Sequence, residues 1–240
     1  MRILPVLDLM NGVVVRGVAG RRAEYRPVVS RLTASCRPLD VAGAFHAHFG
    51  LTELYLADLD AIAGAAPALS VYAGLWGAGF RLWVDAGLRT ADAEPLLHAG
   101  VEGIVAGLET LPGPETLAHL CREWGERIVF SLDLKEGRPL GKPDTWGGGD
   151  AWSVAAEAVA AGVRRLLVLD LARVGVNEGS GTEELCIRLA RTYPGLEVAA
   201  GGGVRDRADL ERLRAGGVRA VLVASALHDG RLRREDLAGL

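Results

Sequence analysis

The chain has 240 residues, and 27 basic against 30 acidic side chains leave a net charge of −3, so no electrostatic attraction draws it to nucleic acid or an anionic membrane surface. Half of the residues are hydrophobic and 24% charged, which excludes disorder; at this length folding buries roughly 70% of the unfolded surface, enough for one sizeable core. Cys36, Cys121 and Cys186 are too far apart for a disulfide framework or a metal site, and Asp8 interrupts the apolar stretch a signal peptide would need, so a reducing, cytoplasmic setting is expected.

In chain order, apolar runs rich in Val, Leu and Ile occupy residues 3–9, 52–58, 81–85, 103–106, 127–134, 164–171, 196–200 and 219–224. They are continuous rather than alternating, as expected of parallel strands buried on both faces. Helical spacing fills the intervals at 67–78, 91–98, 114–124, 151–161, 182–192 and 207–215. The uncharged stretch 61–80 holds Pro67 and four glycines, so it reads as a loop plus a buried helix and not as a membrane span. Eight strand–helix units in 240 residues predict a (β/α)8 TIM barrel, with a doubly wound open sheet as the alternative.

The two halves of the chain resemble each other. Leu7-Asp8-Leu9 and Gly12 in the first run match Leu132-Asp133-Leu134 and Gly137 in the fifth; Asp58-Leu59 in the second matches Asp170-Leu171 in the sixth. Gly87-Leu88-Arg89 with Ala91-Asp92 after the third matches Gly203-Val204-Arg205 with Ala208-Asp209 after the seventh. This order implies two symmetric half-barrels within a single domain, 1–240, with Asp8 and Asp133 facing each other across one mouth.

Active sites of such barrels lie at the C-terminal ends of the strands, where Asp8, Asp58, Asp85, Asp133 and Asp170 end apolar runs. Each is either a helix cap or a working acid; two facing carboxyls in different surroundings make a general acid and a general base. Gly201-Gly202-Gly203 and Ala224-Ser225 follow strands seven and eight, a usual phosphate-binding position. The matching place in the first half reads Asp85-Ala86-Gly87 and Gly107-Leu108-Glu109, and its two acids repel a second phosphate. One phosphate is therefore expected, with something neutral or cationic at the other end.

The long first connection, 9 to 38, contains six arginines and is expected to form a binding loop with a small hairpin, Arg16 being the best placed to reach substrate. Of the 27 basic residues only Lys135 and Lys142 are lysines, both after Asp133. Lys135 shares the strand parity of Asp133 and is a candidate Schiff-base amine, a role arginine cannot fill. His46 and His48 point apart on a helix, so no metal is expected there, and Trp146 and Trp152 either stack on a planar substrate or pack on the rim.

The start Ile3-Leu4-Pro5-Val6-Leu7-Asp8-Leu9, the motifs Ala57-Asp58-Leu59-Asp60, Gly87-Leu88-Arg89 and Gly202-Gly203-Val204, and the tail Val223-Ala224-Ser225-Ala226-Leu227 resemble the HisA/HisF family of histidine biosynthesis. The resemblance covers nearly the whole chain. It implies an enzyme of the isomerase type that works without a cofactor or a metal, as monomer or small homo-oligomer, on a phosphorylated sugar-amine. The implied reaction is an Amadori rearrangement of an aminoaldose to an aminoketose, with Asp8 as base, Asp133 as its partner, and phosphate at Gly202, Gly203, Ala224 and Ser225; Arg16, Asp58, Gly87 and Gly107 are the further candidates for the substrate site. The chain departs from the isomerase pattern after strand six, where Leu169-Asp170-Leu171-Ala172-Arg173-Val174-Gly175 puts Val174 in place of an acidic residue. Asp170, Glu178 or Lys135 would then have to donate the proton. Two alternatives stand beside this reading: a Lys135 aldolase or lyase, and a barrel that binds a phospho-metabolite without turning it over.

Overall fold

The computed structural model describes residues 1–89, 93–141, 145–146, 149–176 and 179–240. Asp92, Lys142 and Glu178, which the sequence reading singled out, lie outside them. Eight parallel strands, β1 (Arg2–Met10), β4 (Glu53–Asp58), β5 (Arg81–Asp85), β6 (Val101–Gly107), β7 (Ile128–Lys135), β9 (Arg165–Asp170), β10 (Glu197–Gly201) and β11 (Ala220–Val223), pair in that order. The last returns to the first, Arg2 to Ala220 and Pro5 to Val223, closing a TIM barrel. Three short strands lie off this cylinder: β2 (Val13–Arg16) and β3 (Arg26–Pro27) form the expected hairpin of the first connection, and β8 (Arg138–Pro139) pairs with β7.

The helices are α1 (Pro38–Phe49), α2 (Leu59–Ile62), α3 (Leu69–Gly77), α4 (Glu94–His98), α5 (Pro114–Trp124), α6 (Ala151–Ala160), α7 (Glu183–Thr192), α8 (Arg207–Ala215), α9 (Ser225–His228) and α10 (Arg234–Leu237). Outward-facing strand residues such as Leu7, Leu56, Val84, Ile104, Phe130 and Val168 form one core with the helix faces. Inward-facing residues Leu4, Tyr55, Trp83, Val105, Val129, Leu167, Ala199 and Leu222 fill the cylinder itself. At Gly103 a side chain would overlap the Trp83 indole, so the inward position beside that ring has to be glycine.

The alternation of side chains along a strand then decides what stands at each end of the barrel. Stepping by two from the interior toward the N-terminal ends reaches Arg2, Glu53, Arg81, Arg165 and Glu197, which close the floor. Arg2 bonds Glu53 at 2.6 Å and also pairs with Glu197, while the Arg2 and Arg165 guanidiniums lie 5.1 and 5.8 Å from the Trp83 ring centre. Stepping by two toward the C-terminal ends reaches Asp8, Asp85 and Asp133. Asp58 and Asp170 stand one residue beyond the inward positions Ala57 and Leu169 and so have the opposite parity. No helix among the described residues is long and apolar enough to cross a membrane.

Candidate active site

A pocket opens at the C-terminal mouth, and Asp8, Asp85 and Asp133 point into it from three strands. Glu109 and Thr110, just after β6, complete the first-half side, while Gly202, Gly203, Ala224 and Ser225 line the opposite side. The expected pairing of an acidic half with a glycine-rich half is present in one cavity. Arg16 and Gly107 also line it.

Burial shapes the electrostatics of the mouth. It pushes Asp133 up to about 8, with the negative charges of Asp85 and Glu109 adding to the effect and a 2.6 Å hydrogen bond from the Ser131 hydroxyl opposing it. Asp8 is pushed by burial up to about 7, against a backbone hydrogen bond from Gly17 and the charge of Arg22. Gly17 packs between Asp8 and Val174: a Cβ on it would lie 2.9 Å from Asp8 Oδ2 and 3.0 Å from a Val174 methyl, so the position beside the carboxyl has to be glycine. Asp85 rises for the same reason to about 6. Beneath them Tyr55 is raised well above its ordinary value by burial and by the charges of all three aspartates, and it stays neutral.

Asp58 and Asp170 lie elsewhere. Asp58 accepts from the backbone N–H of Ala61 at 3.1 Å and of Ala68 at 2.9 Å, and from the Tyr72 hydroxyl. Asp170 accepts from the N–H groups of Ala172, Glu136 and Gly137 at 3.0, 3.1 and 2.9 Å. Both are buried, turned away from the cavity, and used up as symmetry-related caps of the turns after their strands. Lys135 keeps the parity of Asp133 but is exposed at the end of β7, above the pocket and outside its lining. Gly87 is likewise outside; its positive φ of 66° and its close approach to the Ile62 backbone make it a turn glycine, and its N–H bonds Asp85 at 3.0 Å. Trp146 is fully buried against Phe130, and Trp152 stacks on Tyr193, so both indoles pack within the protein and leave no face for substrate.

The structure also brings in residues that strand-end reasoning passed over. Tyr25 and Arg22 reach the cavity from the first loop, and His228 from α9. The His228 ring is held neutral by burial, which lowers it to about 4, and its Nδ1 lies 2.9 Å from the Ser30 hydroxyl of the same loop. Arg22 was visible only as one of six loop arginines, and nothing local marked it out.

A barrel with symmetric half-sites and opposed aspartates at β1 and β7 is what the motifs implied. Residues 2–233 match the family described as "Histidine biosynthesis protein". The chain belongs to this histidine biosynthesis family. Three relatives place it further. An uncharacterized protein of Methanocaldococcus jannaschii is 31% identical over 99% of this chain and 97% of its own length. Proteins of Pelotomaculum thermopropionicum and Vibrio campbellii are 31% and 30% identical over 98% of this chain and 90% and 96% of their own. Each of these two is named a 1-(5-phosphoribosyl)-5-((5-phosphoribosylamino)methylideneamino) imidazole-4-carboxamide isomerase. The chain thus aligns over nearly its whole length with two proteins named as isomerases.

Proposed function

We propose that the chain is an isomerase that converts a phosphoribosyl-amine from its aminoaldose to its aminoketose form. The observation that carries this reading is the pair Asp8 and Asp133, carboxyls on opposite walls of one pocket with titration near neutral pH. Asp133, the higher of the two, donates a proton to the ribose ring oxygen, and the ring opens to an iminium. Asp8, as carboxylate, removes the proton from C2, and the electron pair of that C–H bond neutralises the iminium to give an enol-amine. Return of a proton to C1 and loss of the one on the C2 hydroxyl give the ketone, so atoms and charge balance with no external reagent. An acid on the loop after β9 is not required, because Asp133, raised to about 8, carries a proton at neutral pH; Val174 lines the same pocket.

The substrate carries one phosphate in this reading. The backbone at Gly202-Gly203 and the start of α9 at Ala224-Ser225 offer N–H groups to an anion, whereas Asp85 and Glu109 hold negative charge at the matching place in the first half. The test is turnover of monophosphorylated phosphoribosyl-amines beside the bis-phosphorylated compound after which the two isomerase relatives are named. Preference for the latter would overturn the one-phosphate reading. Failure of the Asp8→Asn and Asp133→Asn variants to lose turnover of either kind would overturn the isomerase assignment.

A further inference from the structure

Asp85 has no part in the acid–base pair as drawn above, yet it points into the same mouth. It ends β5, Asp133 lies near the end of β7, and the strand between them ends in Gly107. The missing side chain at Gly107 leaves a gap that both carboxyls enter: a Cβ there would lie 3.1 Å from Asp133 Oδ2 and 3.8 Å from Asp85 Oδ2. The other oxygens are turned away. Asp133 Oδ1 accepts from the Ser131 hydroxyl at 2.6 Å, and Asp85 Oδ1 from the Gly87 N–H at 3.0 Å. Each carboxyl is therefore anchored by Oδ1 to its own strand or turn, with Oδ2 at the edge of the Gly107 gap.

The surrounding charges do not relieve this pair evenly. Glu109, on the loop after β6, adds a negative charge toward both carboxyls and its backbone N–H bonds Asp133. Arg22 bears on Asp85 and on Asp8, and Asp58 lies behind Asp85. Tyr55 stands below, neutral, and the β9 neighbour of Asp133 is the apolar Leu169. Asp170 is occupied by three backbone donors, and Lys135 is in solvent. Two carboxylates that face one dry gap repel, so the charge on Asp85 favours the protonated form of Asp133.

We propose that Asp85 is a positioning residue whose charge, acting across the Gly107 gap, holds the proton on Asp133 and so presents Asp133 as the acid at the start of each turnover. The inference rests on the reading of Asp133 as proton donor. When Asp133 gives up its proton it becomes a carboxylate beside a carboxylate, and the repulsion draws a proton back in the second half of the reaction. Neither group is consumed.

The test is a carbon-13 NMR titration of the full chain labelled at the aspartate carboxyls, without substrate, with Asp133→Asn used to assign the Asp133 signal. In Asp85→Asn, whose amide oxygen still accepts from Gly87, the Asp133 midpoint is expected to fall by more than one pH unit, a change of over tenfold in its acid dissociation constant. Asp85→Glu restores the charge and should leave it near the wild-type value. The alkaline limb of kcat/KM should move with the midpoint. An unmoved Asp133 midpoint in folded Asp85→Asn overturns the proposal. If that variant does not fold, the wild-type spectra decide: coupling across the gap makes the Asp85 carbon respond again at the Asp133 midpoint, and a response only at its own midpoint overturns it. Carboxyl coupling without turnover of any phosphoribosyl-amine would leave the pair standing and remove the isomerase reading.

Discussion

The Arg16 guanidinium donates two hydrogen bonds to the Asp229 carboxylate, at 2.8 and 2.9 Å, and this fork joins the hairpin of the first loop to the residue that follows α9. The same two segments meet again where the Arg31 N–H bonds the His228 carbonyl at 3.0 Å and where Ser30 meets the His228 ring. The first loop, whose Gly17 N–H bonds Asp8, is thus latched to the helix that starts at the turn proposed to hold phosphate. Asp229→Asn should loosen the latch with little effect on the fold, since a half-buried ion pair that keeps about a third of its side-chain surface in solvent contributes only about 1 kcal/mol. We expect KM for the phosphorylated substrate to rise several-fold with kcat less changed, together with faster proteolysis within residues 17–31. An unchanged KM and unchanged cleavage would show that the fork holds nothing the substrate needs.

The proposed roles of Asp8 and Asp133 predict the shape of the pH profile. Asp8 works as carboxylate, so activity rises as pH passes about 7; Asp133 works as acid, so activity falls as pH passes about 8. A narrow bell in kcat/KM between these limits is expected. Asp8→Asn or Asp133→Asn should lower kcat roughly 100- to 10,000-fold, the usual worth of a positioned proton donor or acceptor. Steady-state assays from pH 5 to 10 check both, and a flat profile would remove the acid–base assignment.

Much of the fold was legible because strands buried on both faces read as unbroken apolar runs, and because the two halves repeat the same motifs. The site was legible only in part, for the same reason. A run that is apolar on every position hides which residues face inward, so the repeat could single out Asp8 and Asp133 but nothing separated Asp85 from Asp58 and Asp170. The structure separates them by a single residue of register: Asp8, Asp85 and Asp133 share the parity of the barrel interior, while Asp58 and Asp170 stand one position later and face the helices. The charged floor residues carry the signal that would have found this. Counting by two from Glu53 reaches Ala57 and passes over Asp58; counting from Arg165 reaches Leu169 and passes over Asp170. Arg22 and Tyr25 belong to a loop without periodicity, and their approach to the mouth depends on the hairpin's path.

Asp58 and Asp170 should therefore report on stability rather than on chemistry. Asp170→Ala strands three backbone N–H groups that the carboxylate now binds, at a cost of about 2–3 kcal/mol. Urea unfolding should show that loss for either Asp→Ala variant, while kcat of the protein that remains folded stays within a few-fold of wild type. A large fall in kcat at full stability would place one of them in the reaction after all.

Lys135 gives the opposite expectation from the one its rarity suggests. Its amine is in solvent beyond the pocket lining, so Lys135→Arg should keep activity within about twofold, and borohydride with sugar phosphates should trap no adduct on it. A covalent adduct at Lys135, found by mass spectrometry of the treated protein, would revive the Schiff-base alternative.

Holding Asp133 in a dry site beside Asp85 favours function over stability, and the sign of the effect is testable. Its carboxyl ionises near its ordinary value when the chain is unfolded but only at about 8 when folded. Folding thus takes up a proton between these values. The associated stability is fully present below the unfolded value and is lost as pH rises through the folded one. Asn at this position keeps an acceptor for Ser131 and has no charge to bury, so Asp133→Asn should match wild type near pH 4 and exceed it above pH 8. In a domain of this size about 1 kcal/mol moves Tm by about 2–4 °C, and we expect at least that difference at pH 9. Melting curves of both proteins from pH 4 to 9 measure it. A variant that loses stability equally at every pH would mean that Asp133 is a structural acceptor, and the raised, proton-holding acid on which the mechanism depends would not exist.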